Sequence, residues 1–175
     1  ESGRIWFGTM DNEVSHPIGN FYCYDGQLHK IFDQITISNG LGWSPDGTLF
    51  YYIDTPTREI RCYQVDPIHP YDFEMIGVIQ VAEEDGMPDG MVVDKNGYIW
   101  VAMWSGAKVV TYDPTTLKKI GEIKLPTPYV TCPCIGGLKL DRLYITTAKN
   151  NLEDDNAGRV YRIPLTSITY LKEKS

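Results

Sequence analysis

The sequence predicts an all-β fold, a β-propeller of about four four-stranded blades, on three observations. One pattern is written about four times along the chain. Each full copy holds four short strands bounded by turn residues. No window of useful length shows the 3.6-residue period of a helix. A β-sandwich also uses many short strands, but it does not require its sequence to repeat.

A partial copy opens the chain with Gly3-Arg4-Ile5-Trp6-Phe7-Gly8-Thr9-Met10, followed by Gly19-Asn20-Phe21-Tyr22-Cys23-Tyr24. The second copy begins at Asn39 and the third at Asp89, and the two superpose without a gap over sixteen positions. The fourth starts at Gly136 and continues through Gly158-Arg159-Val160-Tyr161. Within a copy, an apolar strand ends in Asp46-Gly47 or Asn96-Gly97, dipeptides that suit the positive φ of a tight hairpin. The second strand carries an aromatic anchor, Trp6, Phe50, Trp100 or Tyr144, at spacings of 44, 50 and 44 residues. A third strand alternates, as in Val109-Val110-Thr111-Tyr112-Asp113, and a more polar fourth leads out, as in Lys119 to Ile123. The acidic, Asn-rich stretch from Asn150 to Asn156 reads as a long hairpin loop. No linker divides the chain, so residues 1–175 are expected to form a single propeller domain.

Composition narrows the function. The net charge of −7, with no cluster of Lys and Arg, argues against a nucleic-acid partner and is compatible with binding cations. No apolar run reaches the ~18 residues of a membrane span, and there is no signal peptide, so a cytoplasmic location is expected. The four cysteines are too scattered for a disulfide framework. Cys132-Pro133-Cys134 lacks the spacing of a zinc or redox motif and reads as small buried residues near a turn. His16, His29 and His69 lie outside any Ser-centred or metal-protease motif.

In a propeller the first strand of each blade lines a central channel. Aligning the copies puts Asn39, Asp89 and Gly136 just before that strand, each followed by a Gly that lets the backbone turn tightly. An amide oxygen and a carboxylate, 50 residues apart, are thereby expected to face one cavity. Converging oxygen donors suit a hard divalent cation. The same residues also suit Asx turns ahead of Gly, and spacing alone leaves both readings open.

At these residues the sequence resembles the family of senescence marker protein (regucalcin), gluconolactonase and luciferin-regenerating enzyme. The resemblance rests on Gly3 to Met10, on Ile37-Ser38-Asn39-Gly40-Leu41-Gly42-Trp43, on Phe50 to Thr55, on Pro88-Asp89-Gly90-Met91, and on Cys134-Ile135-Gly136-Gly137. It implies a six-bladed ring holding one divalent metal, Ca²⁺ first, with Mg²⁺, Mn²⁺ or Zn²⁺ as alternatives. It also implies hydrolysis of small lactones, with metal-activated water attacking the lactone carbonyl. By position, Asn39 and Asp89 correspond to metal ligands, Asp89 also to the general base, and Glu13 to a substrate contact. A third ligand, a Glu near the family's N-terminus, has no counterpart here. An esterase or phosphotriesterase on the same site, and a non-catalytic Ca²⁺-binding propeller, are the alternatives. Six blades of ~45 residues need roughly 270 residues. The domain is therefore expected to be incomplete on its N-terminal side and completed by an N-terminal segment or a second chain.

Overall fold

The computed structural model describes residues 3–151 and 153–168. Leu152, inside the expected hairpin loop, lies outside them, as do both ends of the 1–175 span. Among the described residues, fourteen strands form four antiparallel sheets, each a simple meander. Blade 1 holds β1 (Ile5–Gly8), β2 (Gly19–Tyr24) and β3 (Leu28–Ile35). Blade 2 holds β4 (Ser38–Trp43), β5 (Leu49–Asp54), β6 (Glu59–Val65) and β7 (Phe73–Gln80). Blade 3 holds β8 (Met87–Val93), β9 (Ile99–Trp104), β10 (Lys108–Asp113) and β11 (Lys118–Lys124). Blade 4 holds β12 (Val130–Gly136), β13 (Arg142–Thr147) and β14 (Val160–Pro164). The propeller expectation is met, and the only helical pieces among the described residues are three-residue 3₁₀ turns. None of these is long and apolar enough to cross a membrane.

The core lies between blades. A strand in the middle of a blade is covered on both faces, so it reads as a continuous apolar run. In β5, Phe50 and Tyr52 pack toward blade 1 with Phe21 and Ile35, while Tyr51 and Ile53 pack toward blade 3 with Val101 and Met103. Trp100 and Ala102 face the other way, onto Leu143 and Ile145 of blade 4. Each such fully buried side chain contributes roughly 1.5–3 kcal/mol.

This packing corrects the anchor alignment. Phe50 faces the preceding blade, whereas Trp100 faces the following one. The reason is the hairpin before the second strand. In blade 2 the Ser44 N–H bonds to the Leu49 carbonyl, but in blade 3 the Asp94 N–H bonds to the Tyr98 carbonyl, one residue sooner. One extra residue turns every later side chain in the strand to the opposite face. Tyr51, not Phe50, is therefore the structural counterpart of Trp100. The turn glycines behave as expected: Gly47 and Gly97 have φ of 74° and 87°.

The reading of Cys132 and Cys134 is corrected: both are exposed and stand within strand β12 rather than buried near a turn, and the buried cysteines are Cys23 and Cys62.

Candidate functional site

The inner strands β4, β8 and β12 share one irregularity. Each pairs regularly with its neighbour except for a bulge, between Ser38 and Leu41, between Pro88 and Met91, and between Val130 and Cys132. Asn39 and Asp89 occupy the first two bulges. They lie inside their strands, not ahead of them. A bulge re-aims a side chain that regular pleating would bury against a neighbouring blade. In blade 4 the bulged residue is Thr131, because Tyr144 pairs with Cys134 as Trp100 pairs with Val92. Gly136 pairs with Arg142 at the opposite, hairpin end of β12, so it is not the counterpart of Asn39 and Asp89.

The glycines after Asn39 and Asp89 have a different cause from the one the sequence suggests. Neither Gly40 nor Gly90 has positive φ. They admit the next inner strand instead. A Cβ on Gly40 would lie 2.6 Å from the Asp89 carbonyl oxygen, and one on Gly90 would lie 2.7 Å from the Thr131 carbonyl oxygen. The inner strands thus approach backbone to backbone, which brings Asn39 and Asp89 together across the blade boundary.

The Asn39 amide and the Gly90 N–H both favour the charged form of the Asp89 carboxylate. Burial outweighs both contacts and pushes the Asp89 carboxyl up to about 6. Among the described residues, no basic side chain offsets that burial. Asn39 Nδ2 also donates to Thr55 Oγ1 at 3.0 Å, and Thr55 Oγ1 donates to the Pro88 carbonyl at 2.8 Å. The backbone ahead of Asn39 is pinned by buried Asp54, which accepts the N–H groups of Thr36 and Ile37 at 3.1 and 2.8 Å. Asp54 and Thr55 were visible only as part of the matching stretch Phe50 to Thr55. Their roles depend on contacts between segments that the repeat does not reveal.

Glu13 lies in the loop joining β1 to β2. The start of that loop is held just ahead of the strand carrying Asn39, through a bridge between Met10 and Ile37. Glu13 is exposed, and its N–H donates to Asp11. The Asp11 carboxylate organises the loop, also accepting from the Ser15 and His16 N–H groups. Hydrogen bonds from Glu13 and Ser15 hold its carboxyl below the usual range.

Asn39 and Asp89 themselves offer oxygen donors, and the Cys132 thiol, pushed up by burial and by the Asp89 charge, lies nearby. The oxygen donors fit a hard cation. Among the described residues, no group of three or more His, Cys, Asp or Glu side chains is placed to hold a metal ion. A cavity of about 560 Å³ near Val92, Asn96, Ile135 and Leu140 lies at the hairpin end and shares no residue with this pair.

Comparison with known proteins places these residues in context. A family model described as SMP-30/Gluconolactonase/LRE-like region matches residues 1–149. A relative described as a putative sugar lactone lactonase, YvrE of Bacillus subtilis, is 42% identical over 96% of this chain and 60% of its own length. Among solved structures, a luciferin-regenerating enzyme matches with a TM-score of 0.84 and 30% identity, over 93% of this chain and 58% of that one. A calcium-binding regucalcin from Agrobacterium tumefaciens matches with a TM-score of 0.82 and 31% identity, over 93% and 57%. The chain spans less than two thirds of the length of each of these relatives.

Proposed function

The chain belongs to the SMP-30/gluconolactonase/LRE-like family, and from that premise we propose that it hydrolyses small lactones at a divalent-cation site built on Asn39 and Asp89. The observation that carries this reading is the meeting of those two side chains from separate blades, with a carboxyl pushed up to about 6 and no basic neighbour among the described residues. The printed descriptions of relatives support it: one is a putative sugar lactone lactonase, another a calcium-binding protein.

Asn39 Oδ1 and the Asp89 carboxylate would hold the cation, Ca²⁺ first among Ca²⁺, Mg²⁺, Mn²⁺ and Zn²⁺. Bound there, it would supply Lewis acidity toward the carbonyl oxygen of the ester. Asp89 is the general base. It takes a proton from water as that water attacks the lactone carbonyl. Asn39 contributes a neutral oxygen and adds no second negative charge. Glu13, at the tip of a loop that starts beside the site, meets substrate hydroxyls.

The whole protein we place in the cytoplasm, as a single propeller domain spanning residues 1–175 whose ring is closed by an N-terminal segment or a second chain. Exposed apolar residues on the two outermost blades, Ile5, Leu28 and Val160, support a covering partner there. The test of function is a panel of aldonolactones assayed with chelator and again after Ca²⁺ is restored. Hydrolysis that vanishes with chelator and returns with Ca²⁺ is the expected result. Hydrolysis unaffected by chelator would remove the cation from the reading. Ca²⁺ binding without hydrolysis of any lactone would favour a non-catalytic propeller, and phosphotriester turnover alone would favour a phosphotriesterase.

A further inference from the structure

We infer that Thr55 is a positioning residue: it decides which end of the Asn39 amide faces the channel, and so gives the site its preference for a cation. The inference rests on the reading of Asn39 and Asp89 as a cation site.

The argument is one of donors and acceptors. Thr55 opens the 3₁₀ turn after β5 and is buried, at 7% exposure. Its hydroxyl oxygen lies 2.8 Å from the Pro88 carbonyl. A carbonyl can only accept, so the single Thr55 proton is committed to Pro88. Toward Asn39, 3.0 Å away, the Thr55 oxygen can then only accept. The part of the amide facing it must be Nδ2, which has hydrogens to give. The orientation of an Asn amide is often ambiguous, but here the chain of donors settles it.

The same amide also acts as a donor toward the Asp89 carboxylate, favouring its charged form. Oδ1 remains to offer lone pairs to a ligand. A flipped amide would set Oδ1 against two acceptors, the Thr55 oxygen and the carboxylate. It would also present hydrogens to the ligand, which suits an anion and repels a cation. Asp89 helps to set this orientation, but its lone pairs are the ones a cation would engage. Thr55 makes no such commitment, so its constraint persists when the site is loaded.

Thr55 is itself held firmly. Arg58, at the end of the same turn, donates from Nη1 to the Gly86 carbonyl at 2.8 Å. The turn of blade 2 is thereby tied at two points to the segment leading into Asp89. The Thr55 contact to Pro88 connects the two ligand-bearing strands through one hydroxyl.

The experiment is calorimetric titration of Ca²⁺, and separately Mn²⁺, into the whole protein with its ring complete, as wild type and as Thr55→Val, Thr55→Ser and Asn39→Ala variants. Thr55→Val keeps the shape and removes the hydroxyl. It is expected to weaken binding about tenfold or more, in the range found for groups that orient metal ligands. Thr55→Ser restores the hydroxyl and is expected to bind as the wild type does. Equal affinity of Thr55→Val and wild type would overturn the role of Thr55 while leaving the site intact. A wild-type protein that binds neither cation would overturn the Asn39 and Asp89 reading itself, and the inference with it. A second measurement does not depend on the Val variant folding. In the cation-free wild type, the Asn39 side-chain amide protons should exchange slowly with solvent by NMR, and equally slowly in Thr55→Ser. Rapid exchange in the wild type would refute the inference.

Discussion

Three aspartates within ten residues of blade 3 are put to three different uses. Asp85 and Asp94 are buried, at 3% and 7% exposure, and Asp89 between them is partly buried. Asp85 is neutralised by Lys108 and Lys119, each with a Nζ–carboxylate contact under 3 Å. Asp94, just past the hairpin end of β8, accepts the N–H groups of Asn96 and Tyr98 and the Trp100 indole N–H, at 2.8, 3.0 and 3.0 Å. Asp89, on the bulge at the other end of β8, is met by an amide and one backbone N–H, and its carboxyl is pushed up. Two carboxylates are thus spent on structure, and one is kept short of partners. Asp89 is left with unused electrostatic capacity, while the hairpin that follows β8 satisfies Asp94 with its own donors.

The largest expected effect separates Asp89 from Asp94 by activity. Asp89→Ala should lower lactone hydrolysis by about 10²–10⁴-fold, the usual contribution of a general base, with an unchanged far-UV spectrum. Full activity in that variant would refute its role and erase the contrast. Asp94→Ala should leave the site chemistry in place. It removes the acceptor from three donors in a buried hairpin, and should cost about 3 kcal/mol of stability. For a chain of this size that is a fall in Tm of about 10 °C. A Tm within a degree or two of wild type would show that Asp94 is not the anchor of its hairpin.

Glycines extend the contrast to the backbone. Gly40→Ala would drive a Cβ into the Asp89 carbonyl oxygen, Ile53 and Met91, and the strand bearing Asp89 must shift to make room. Overpacking of this kind costs about 2 kcal/mol, and here it should also weaken cation binding. Gly47→Ala, with φ of 74° and no atom within 4 Å of the added Cβ, should cost only the ~1 kcal/mol of left-handed strain and leave binding unchanged. Calorimetry on the pair decides whether the two glycines differ in this way.

Much of this was legible in the sequence, for identifiable reasons. The strands announce themselves through Asp46-Gly47 and Asn96-Gly97 and through buried runs such as Phe50 to Asp54. Asn39 and Asp89 stood out because both carry a Gly behind them. Their counterpart Thr131 did not, because Thr131-Cys132 has no such signature, and Gly136-Gly137 imitated it at the wrong end of the strand. The one-residue difference between hairpins was invisible because Phe50 and Trp100 align as aromatics while facing opposite blades. Gly40 carries no mark of its close approach to Asp89, and Thr55 carries none of its contact with Pro88. Both features come from contacts between blades, which a repeat of local patterns does not encode.

The smallest expected effect concerns Asp85, whose carboxylate is fully paired where that of Asp89 is not. Burial alone would push the Asp85 carboxyl up, but Lys119 and Lys108 together hold it below the ordinary range. Its folded value is thus lower than its unfolded one, near 3.9. The stabilisation is complete above the unfolded value and is lost as pH falls through the folded value. Lys119 is the more exposed partner, at 37% against 16% for Lys108, and it also contacts Glu122. Lys119→Ala should therefore cost only about 0.5–1 kcal/mol at neutral pH, since Lys108 still faces Asp85. Its clearer signature is in acid. The urea midpoint of the wild type should fall as pH drops from about 5 toward 2, and that of Lys119→Ala should fall less, because less pairing remains to be lost. Parallel curves would mean that Lys108 alone sets the Asp85 carboxyl, and that Lys119 belongs to Glu122 and the surface.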